Sequence, residues 1–215
     1  MQFPDFKSEL ECFEKGYSLV LGCDEAGRGP VAGPVVAAAC VLNRETIGKY
    51  RSKNKWYYRV RDSKTTTPEE RKILVKEIFE HTLAYGVGEV WHEEIDKINI
   101  HQASLLAMRR AVEDLLQKAK SVKQKAFLFV DGRFKIPELS IEQKSVIDGD
   151  AKILSISAAS IIAKVHRDNI MKRLDGKFPE YGFINHKGYS TKEHKLALKK
   201  FGLSAVHRRS FVKST

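Results

Sequence analysis

The sequence predicts an α/β fold in which strands and helices alternate along the chain. Short, almost wholly apolar segments of strand length occur at residues 17–23, 34–42 and 126–130. Longer segments between them place apolar residues at helical spacing, which is typical of helices packed on a sheet. The chain has 215 residues, 42% of them hydrophobic, so it can bury a substantial core.

The first two strands are predicted at Tyr17–Cys23 and at about Pro34–Leu42. The first is a mostly apolar run, and the second is rich in valine and alanine. Glycines and prolines fill the short segment between them, which favours a tight corner and antiparallel pairing as a hairpin.

The next predicted element is a helix that begins at Thr67. Pro68 occupies the first helical position, where its missing N–H costs nothing. Thr67 and Glu70 have the spacing of a capping box. The buried face of this segment is predicted to comprise Ile73, Leu74, Ile78 and Leu83.

The remaining elements continue the alternation of strand and helix. A short strand is predicted at Tyr85–Trp91 and a long helix at about Asn99–Lys118. The strand Ala126–Val130 is apolar at every position, which is typical of a strand covered on both faces. A shorter strand is predicted near Lys144–Ile147. The segment Ser155–Val165 has many small residues and almost no charge, which predicts a helix packed in the core.

The charge distribution indicates a polyanionic partner. The formal net charge is +11, and such an excess favours binding to nucleic acid. Residues 186–215 contain eight lysines and arginines and one acid, and we predict one or two short basic helices there. The segment 49–64 has seven basic residues interleaved with aromatic ones. It is interpreted either as an added flap that contacts a duplex or as a solvated surface loop.

Several classes of protein are excluded by composition. The longest apolar run, Val35–Leu42, is far shorter than the roughly 20 residues of a membrane helix. The N-terminal residues lack the pattern of a secretory signal. Cys12, Cys23 and Cys40 lack C-x-x-C spacing, which argues against a disulfide scaffold or a structural zinc site. We therefore expect a protein of the reducing cytoplasm with no membrane partner.

Four acidic residues share one feature: each lies next to an apolar segment. They are Asp24 and Glu25, Asp131, and Asp150. Carboxylates at strand ends of an α/β sheet face the crevice where ligands bind. Their mutual repulsion favours a bound Mg²⁺ or Mn²⁺, and two such ions support phosphodiester hydrolysis. Each acid taken singly is better explained as a turn former or helix cap, but the position that they share favours a metal site.

The corner GRGPVAGP after the first strand contains Gly27, Gly29 and Gly33. Its spacing differs from the dinucleotide fingerprint, and a strand rather than a helix is predicted to follow, so a Rossmann fold is excluded. Arg28 lies between two glycines. Such a backbone allows the close approach of a sugar and phosphate.

Six segments occur in one order over residues 17–211. They are GCDEAGRGPVAGPVVAAA, DSK at 62–64, VDG at 130–132, GDAKILSISAASIIAKVHRD at 149–168, HKGY at 186–189 and HRRSF at 207–211. In these segments the sequence resembles bacterial ribonuclease HII. It departs from that family where three threonines follow DSK and where the segment before DSK is longer and more basic.

The resemblance implies a ribonuclease H-like mixed five-stranded sheet flanked by helices, with a small C-terminal helical segment. It divides the chain into an N-terminal extension at 1–16 and a catalytic domain at 17–215, which includes the basic segment at about 186–215. It implies a monomeric endoribonuclease that uses Mn²⁺ or Mg²⁺ in a two-metal mechanism. The expected substrates are RNA–DNA hybrids and DNA duplexes containing single ribonucleotides. The latter are nicked on the 5′ side, which leaves 3′-hydroxyl and 5′-phosphate ends.

The resemblance also implies the roles of individual residues. Catalytic metal ligands fall on Asp24, Glu25, Asp131 and Asp150, with Asp148 as a nearby competitor of Asp150. Substrate contacts fall on Gly27, Arg28 and Gly29 at the ribose 2′-hydroxyl, on Tyr189 at the sugar of the junction, and on Ser63 and Lys64 near a phosphate.

Other polar residues near these segments have structural interpretations. Lys164, Arg167 and Asp168 are interpreted as structural ion pairs or as substrate contacts. His186, His194 and His207 lie in the basic segment and are expected at the surface or near phosphates, because Mg²⁺ and Mn²⁺ do not favour imidazole.

Three alternatives to this function are weighed. A non-catalytic nucleic-acid-binding module of the same fold would be favoured by a substituted acid, but all four acids are present. A DNA strand transferase has no 2′-hydroxyl to recognise, so the GRG corner and Tyr189 speak against it. The related ribonuclease HIII has a substrate-binding N-terminal domain, which the segment before residue 17 is too short to form.

Overall fold

The protein has an α/β fold built on one mixed sheet. A computed structural model describes residues 4–47, 57, 60, 67–119 and 125–212. The sheet has five strands in the order β3-β2-β1-β4-β5, where the strands are β1 (Leu19–Ala26), β2 (Val35–Leu42), β3 (Thr82–Val90), β4 (Ala126–Asp131) and β5 (Glu142–Val146). Strands β1, β2 and β3 pair antiparallel, whereas β4 is parallel to both β1 and β5. The predicted hairpin and the mixed five-stranded sheet are both confirmed.

Helices cover both faces of this sheet. They are α1 (Lys7–Glu14), α2 (Arg44–Ile47), α3 (Pro68–Glu80), α4 (His92–Lys118), α5 (Leu154–Lys177), α6 (Phe183–His186) and α7 (Lys192–Phe201). Along β2, Ala37 and Ala39 pack in a core cluster with α4. Ala38 and Cys40, which point to the other face, pack in a cluster with α3 and α5. The sequence of β2 is apolar throughout because neither of its faces is open to water.

Helix α3 begins as predicted. The Thr67 hydroxyl accepts a hydrogen bond from the Glu70 N–H, and the Glu70 carboxylate accepts one from the Thr67 N–H. The predicted buried face is only half right: Leu74 and Ile78 are buried, but Ile73 is 55% and Leu83 is 63% exposed. Leu83 is exposed because the helix ends at Glu80 and Leu83 lies in the edge strand β3.

Helix α4 starts seven residues before the predicted Asn99 and has a break at that residue. The backbone of Asn99 is non-helical, with φ 65° and ψ 165°. Its side-chain oxygen accepts hydrogen bonds from the N–H groups of His101 and Gln102. Asn99 therefore caps the second part of the helix, which is the part that the sequence predicted.

Helix α5 packs directly on the backbone of β1. At Gly22 an added Cβ would lie 2.2 Å from the carbonyl carbon of Ser155. This close approach brings the first turn of α5, with its small residues, against the strand that carries Asp24. The predicted core helix is confirmed, since most of its residues from Leu154 to Ala163 are fully buried.

Replacing Gly22 by Ala is expected to destabilise the protein by about 1–3 kcal/mol or more, because the clashing atoms belong to backbone that cannot turn aside. Chemical denaturation measures this loss. Gly176→Ala, near the C-terminus of α5, is the control, since nothing lies within 4 Å of its Cβ position. That control should gain about 0.5–1 kcal/mol from helix propensity, and equal effects of both changes would contradict the close packing.

The segment before β1 contacts the start of α5. The Asp5 N–H donates to the Lys152 carbonyl, and the Leu154 N–H donates to the Asp5 carbonyl. Helix α5 has no side-chain cap of its own at Ile153. The fully buried Glu9 of α1 accepts a hydrogen bond of 2.9 Å from the Ser155 N–H instead. The division of the chain at residue 16 stays a prediction.

The C-terminal part of the described chain contains the expected basic helix. Helix α7 lies in the predicted basic segment and carries lysines on its outer face. Cys12, Cys23 and Cys40 are free and buried. In the part of the chain that the structure describes, no helix combines the length and apolar character of a membrane span. Except for Tyr57 and Val60, the basic-aromatic segment 49–64 lies outside the described residues.

Candidate active site

The ends of two neighbouring strands bring three acids together. Cys23 is paired with Val130 in the parallel ladder between β1 and β4. The next residues, Asp24 and Asp131, therefore lie side by side at the carboxyl edge of the sheet, and Glu25 follows Asp24. Chain segments more than 100 residues apart thus meet at the position that the strand-end pattern predicted.

The fourth acid reaches this edge through a short 3₁₀ turn at Gly149–Ala151. The Gly149 N–H donates a hydrogen bond of 2.7 Å to the Asp131 carboxylate. A Cβ at Gly149 would lie 2.6 Å from the end of the Ile156 side chain, which would have to move to make room. Asp150 is buried, whereas Asp148 is exposed, which supports Asp150 over its competitor.

All four acids line one cleft of about 530 Å³. The predicted ribose-contacting residues Gly27, Arg28, Gly29 and Tyr189 line the same cleft. Eight of the ten predicted site residues are therefore brought together. The other two, Ser63 and Lys64, lie outside the described residues.

The cleft has a strong electrostatic character. Burial, followed by the charges of Glu25 and Asp131, raises the pKa of Asp24 well above its ordinary value. Burial also raises the pKa of Glu25, while Arg28, at 3.3 Å from its carboxylate, lowers it in part. Because Arg28 compensates only part of this crowded negative charge, the acids make a natural position for a cation.

The donor set suits a hard divalent ion, because every candidate ligand is a carboxylate oxygen. Within the described residues, no three such side chains stand in a ready coordination geometry. By the chemistry of their oxygen donors and by their position at the sheet edge, the acids nevertheless suit a divalent cation.

The other end of the cleft combines a glycine corner with an aromatic ring. Gly27 has a φ of +94°, a conformation that favours glycine. A Cβ at Gly29 would lie 3.4 Å from the ring of Tyr189. Tyr189 is 47% exposed, so its ring faces solvent beside the corner and is available to a ligand.

Four polar residues that line the cleft were not among the predicted site residues. Arg71, Ser160 and Lys164 lie around the acids, and Arg167 lies behind the glycine corner. Lys164 pairs with Asp168 at 2.5 Å, as the ion-pair interpretation predicted. Arg167 instead donates to the backbone carbonyls of Ala32, Pro34 and Lys187. Its position in the helix, shortly after the buried run of small residues, was the available signal.

The three histidines near Tyr189 are buried, so the prediction that they lie at the surface is wrong. They stack among Tyr181 and Phe183, whose rings shield them from water. The Ser204 N–H donates to His207 Nδ1, which leaves His207 Nε2 to donate to His194 Nε2 at 2.9 Å. His194 Nδ1 then donates to the Tyr189 carbonyl at 2.9 Å. Because burial lowers the pKa of His194 and lowers that of His207 to about 4, this chain stays neutral.

Comparison with known proteins gives consistent matches. The family model of ribonuclease HII matches residues 21–214. A ribonuclease HII of Desulfitobacterium hafniense is 46% identical over 95% of this chain and 73% of its own length. The crystal structure of ribonuclease H2 from Pyrococcus horikoshii OT3 is 28% identical, with a TM-score of 0.65 over 89% of this chain and 92% of that chain. Bst-RNase HIII, solved in complex with Mn²⁺, is 20% identical, with a TM-score of 0.64 over 85% and 70% of the two chains.

These similarities and the mixed sheet define an endonuclease of the ribonuclease H-like class. Identity and coverage then specify the family: the chain belongs to the ribonuclease HII family. It is an endoribonuclease, a phosphodiester hydrolase that acts on nucleic acids containing RNA.

Proposed function

We propose that this chain hydrolyses the RNA strand of RNA–DNA hybrids and nicks duplex DNA on the 5′ side of a single ribonucleotide, leaving 3′-hydroxyl and 5′-phosphate ends. One observation carries the proposal: the acid cluster and the glycine corner with Tyr189 line the same cleft. A phosphate at the acids and a ribose at the corner are adjacent groups of one nucleotide chain. The arrangement therefore suits cleavage next to a ribose.

The acids would hold Mn²⁺ or Mg²⁺, with Asp24, Glu25, Asp131 and Asp150 as ligands. When bound, two such ions orient an attacking water and stabilise the leaving oxygen. The Gly149 N–H fixes the Asp131 carboxylate through its 2.7 Å hydrogen bond. The Ser160 hydroxyl hydrogen-bonds to Asp24 and favours its charged form. The chain's own contribution is thus to hold ionised carboxylates in place.

The corner would recognise the sugar. The 2′-hydroxyl distinguishes RNA from DNA at a given nucleotide, and a backbone without side chains can approach it closely. Gly27, Arg28 and Gly29 provide such a backbone, and the exposed ring of Tyr189 provides a surface on which the sugar packs. Ser63 and Lys64 remain proposed phosphate contacts from the resemblance.

The decisive experiment incubates the protein with a DNA duplex that contains one ribonucleotide, in Mg²⁺, in Mn²⁺ or in chelator, with the all-DNA duplex as control. We expect a single nick at the 5′ side of the ribonucleotide in either metal and none in chelator. Binding without cleavage in every metal would support the non-catalytic alternative. Cleavage of the all-DNA duplex would contradict ribose recognition.

Replacing Tyr189 by Ala is expected to slow cleavage at a single ribonucleotide by about tenfold to a hundredfold, because lost aromatic stacking costs about 1–3 kcal/mol. The rate of cleavage of a long hybrid should fall less, since such a hybrid has many ribonucleotides at which the enzyme can bind and cut. Single-turnover rates on both substrates measure the difference. Tyr189→Phe keeps the ring and should retain most of the activity, and a uniform decline on both substrates would count against junction packing.

The chain is proposed to act as a monomer in the cytoplasm. Its three cysteines are free and buried, which agrees with a reducing compartment. Light scattering during size-exclusion chromatography tests the monomer, and a stable dimer would overturn it.

A further inference from the structure

Arg208 is fully buried behind the glycine corner. It is 0% exposed, and it does not line the cleft. Its guanidinium donates from Nη2 to the Gly27 carbonyl at 2.7 Å, from Nη1 to the Arg28 carbonyl at 2.9 Å, and from Nε to the Gly33 carbonyl at 2.9 Å. All three guanidinium nitrogens therefore donate hydrogen bonds to backbone carbonyls of the same corner.

A buried guanidinium is costly unless it is compensated. Among the described residues, Arg208 forms no ion pair with a carboxylate. Burial lowers its pKa to about 9, so the group is still charged at neutral pH. Backbone carbonyls compensate its charge instead. Because hydrogen bonds from a charged donor are stronger than those from a neutral one, Arg208 fixes the directions of these carbonyls firmly.

The directions of these carbonyls determine where the next N–H groups point. A trans peptide is planar, with its C=O and N–H on opposite sides. Because the carbonyls of Gly27 and Arg28 point toward Arg208, the N–H groups of Arg28 and Gly29 point away from it, toward the cleft that both residues line. Within the described part of the chain, neither N–H has a protein acceptor.

We propose that Arg208 is a positioning residue for sugar recognition: it turns two consecutive peptide groups so that the N–H groups of Arg28 and Gly29 face the ribose. The inference rests on the proposed function of the corner and adds the residue that sets its specificity. Arg208 is fully buried and does not line the cleft, so it does not contact substrate itself. Arg167, which holds the Ala32 and Pro34 carbonyls, supports the other end of the corner.

The test compares affinities for two DNA duplexes that differ only in one ribonucleotide. Both are measured in an Asp131→Asn background, where no cleavage disturbs binding. In Arg208→Lys the charge is kept but the planar fork is lost. We expect the preference for the ribonucleotide duplex to fall by about fivefold to tenfold, equivalent to one or two hydrogen bonds. Affinity for the all-DNA duplex should stay within twofold, a split that general destabilisation would not produce.

Arg209→Lys is the matched control, because Arg209 is the exposed neighbour in sequence and should leave the preference unchanged. A folded Arg208→Lys variant that keeps the full preference overturns the inference. If the background protein itself shows no preference for the ribonucleotide, the proposed function of the corner fails first. These two outcomes are therefore distinguishable.

A second measurement needs no substitution at Arg208. Amide hydrogen exchange in the Asp131→Asn protein should be fast at Arg28 and Gly29 in the free state. It should slow on binding the ribonucleotide duplex and change much less on binding the all-DNA duplex. Strong protection of both amides in the free protein, or equal protection by the two duplexes, would overturn the inference even where Arg208→Lys fails to fold.

Discussion

Replacing Asp131 by Asn is expected to lower the cleavage rate by about a thousandfold or more, because a metal-bound site contributes several kcal/mol of charge stabilisation. Asp131 lies beside Asp24 at the sheet edge and accepts the Gly149 N–H. Asparagine keeps the shape and an acceptor oxygen but removes the negative charge. The fold should therefore persist while the position for the cation is lost.

Duplex binding should survive this change, since phosphates are attracted by basic groups and not by carboxylates. Single-turnover cleavage and equilibrium binding on the same duplex measure the two effects separately. Asp148→Asn is the matched control, because Asp148 is an exposed aspartate with a left-handed backbone that asparagine tolerates. Its activity should stay near that of the unchanged protein. Equal loss of binding and cleavage in Asp131→Asn would undermine the assigned role.

Replacing Glu9 by Gln is expected to change how stability depends on pH. Burial raises the pKa of Glu9 from 4.5 to about 7, so the folded protein holds this proton more tightly than the unfolded chain. The group leaves stability unaffected below pH 4.5. Its contribution to the free energy of unfolding then falls as pH rises toward 7, by about 3 kcal/mol in total.

Glutamine removes this ionisation and keeps the acceptor for the Ser155 N–H. The variant should therefore gain up to about 3 kcal/mol relative to the original protein between pH 5 and pH 8. Urea denaturation at both pH values measures the gain. Glu14→Gln, on the exposed face of the same helix, should show no such difference. Parallel pH profiles of the original protein and Glu9→Gln would mean that the Glu9 carboxylate is not buried in solution.

The acids at the sheet edge could be predicted from the sequence because the end of a strand is marked by the residues next to it. Asp24, Glu25 and Asp131 follow apolar runs, and parallel strands place their carboxyl ends together. The predicted start of the helix at Asn99 coincides with the residue whose side chain caps the second part of α4. The helix extends further toward its N-terminus because the buried Ile95 packs against the core before the break.

The residues that support the site could not be predicted in this way. Glu9 bonds to Ser155, and Arg208 bonds to Gly27 and Arg28. These contacts join residues 146 to 181 positions apart, and no local spacing encodes them. The histidines were misassigned for a related reason, since their burial depends on the aromatic rings of Tyr181 and Phe183.

The three buried cysteines have a practical consequence for following the enzyme on its substrate. Burial raises the pKa of each thiol, so at neutral pH they are protonated and shielded from reagents. A single cysteine introduced at an exposed position would then be the preferred point of attachment for a maleimide dye. Fluorescence could thus report encounters with nucleic acid without first removing the native sulfur atoms.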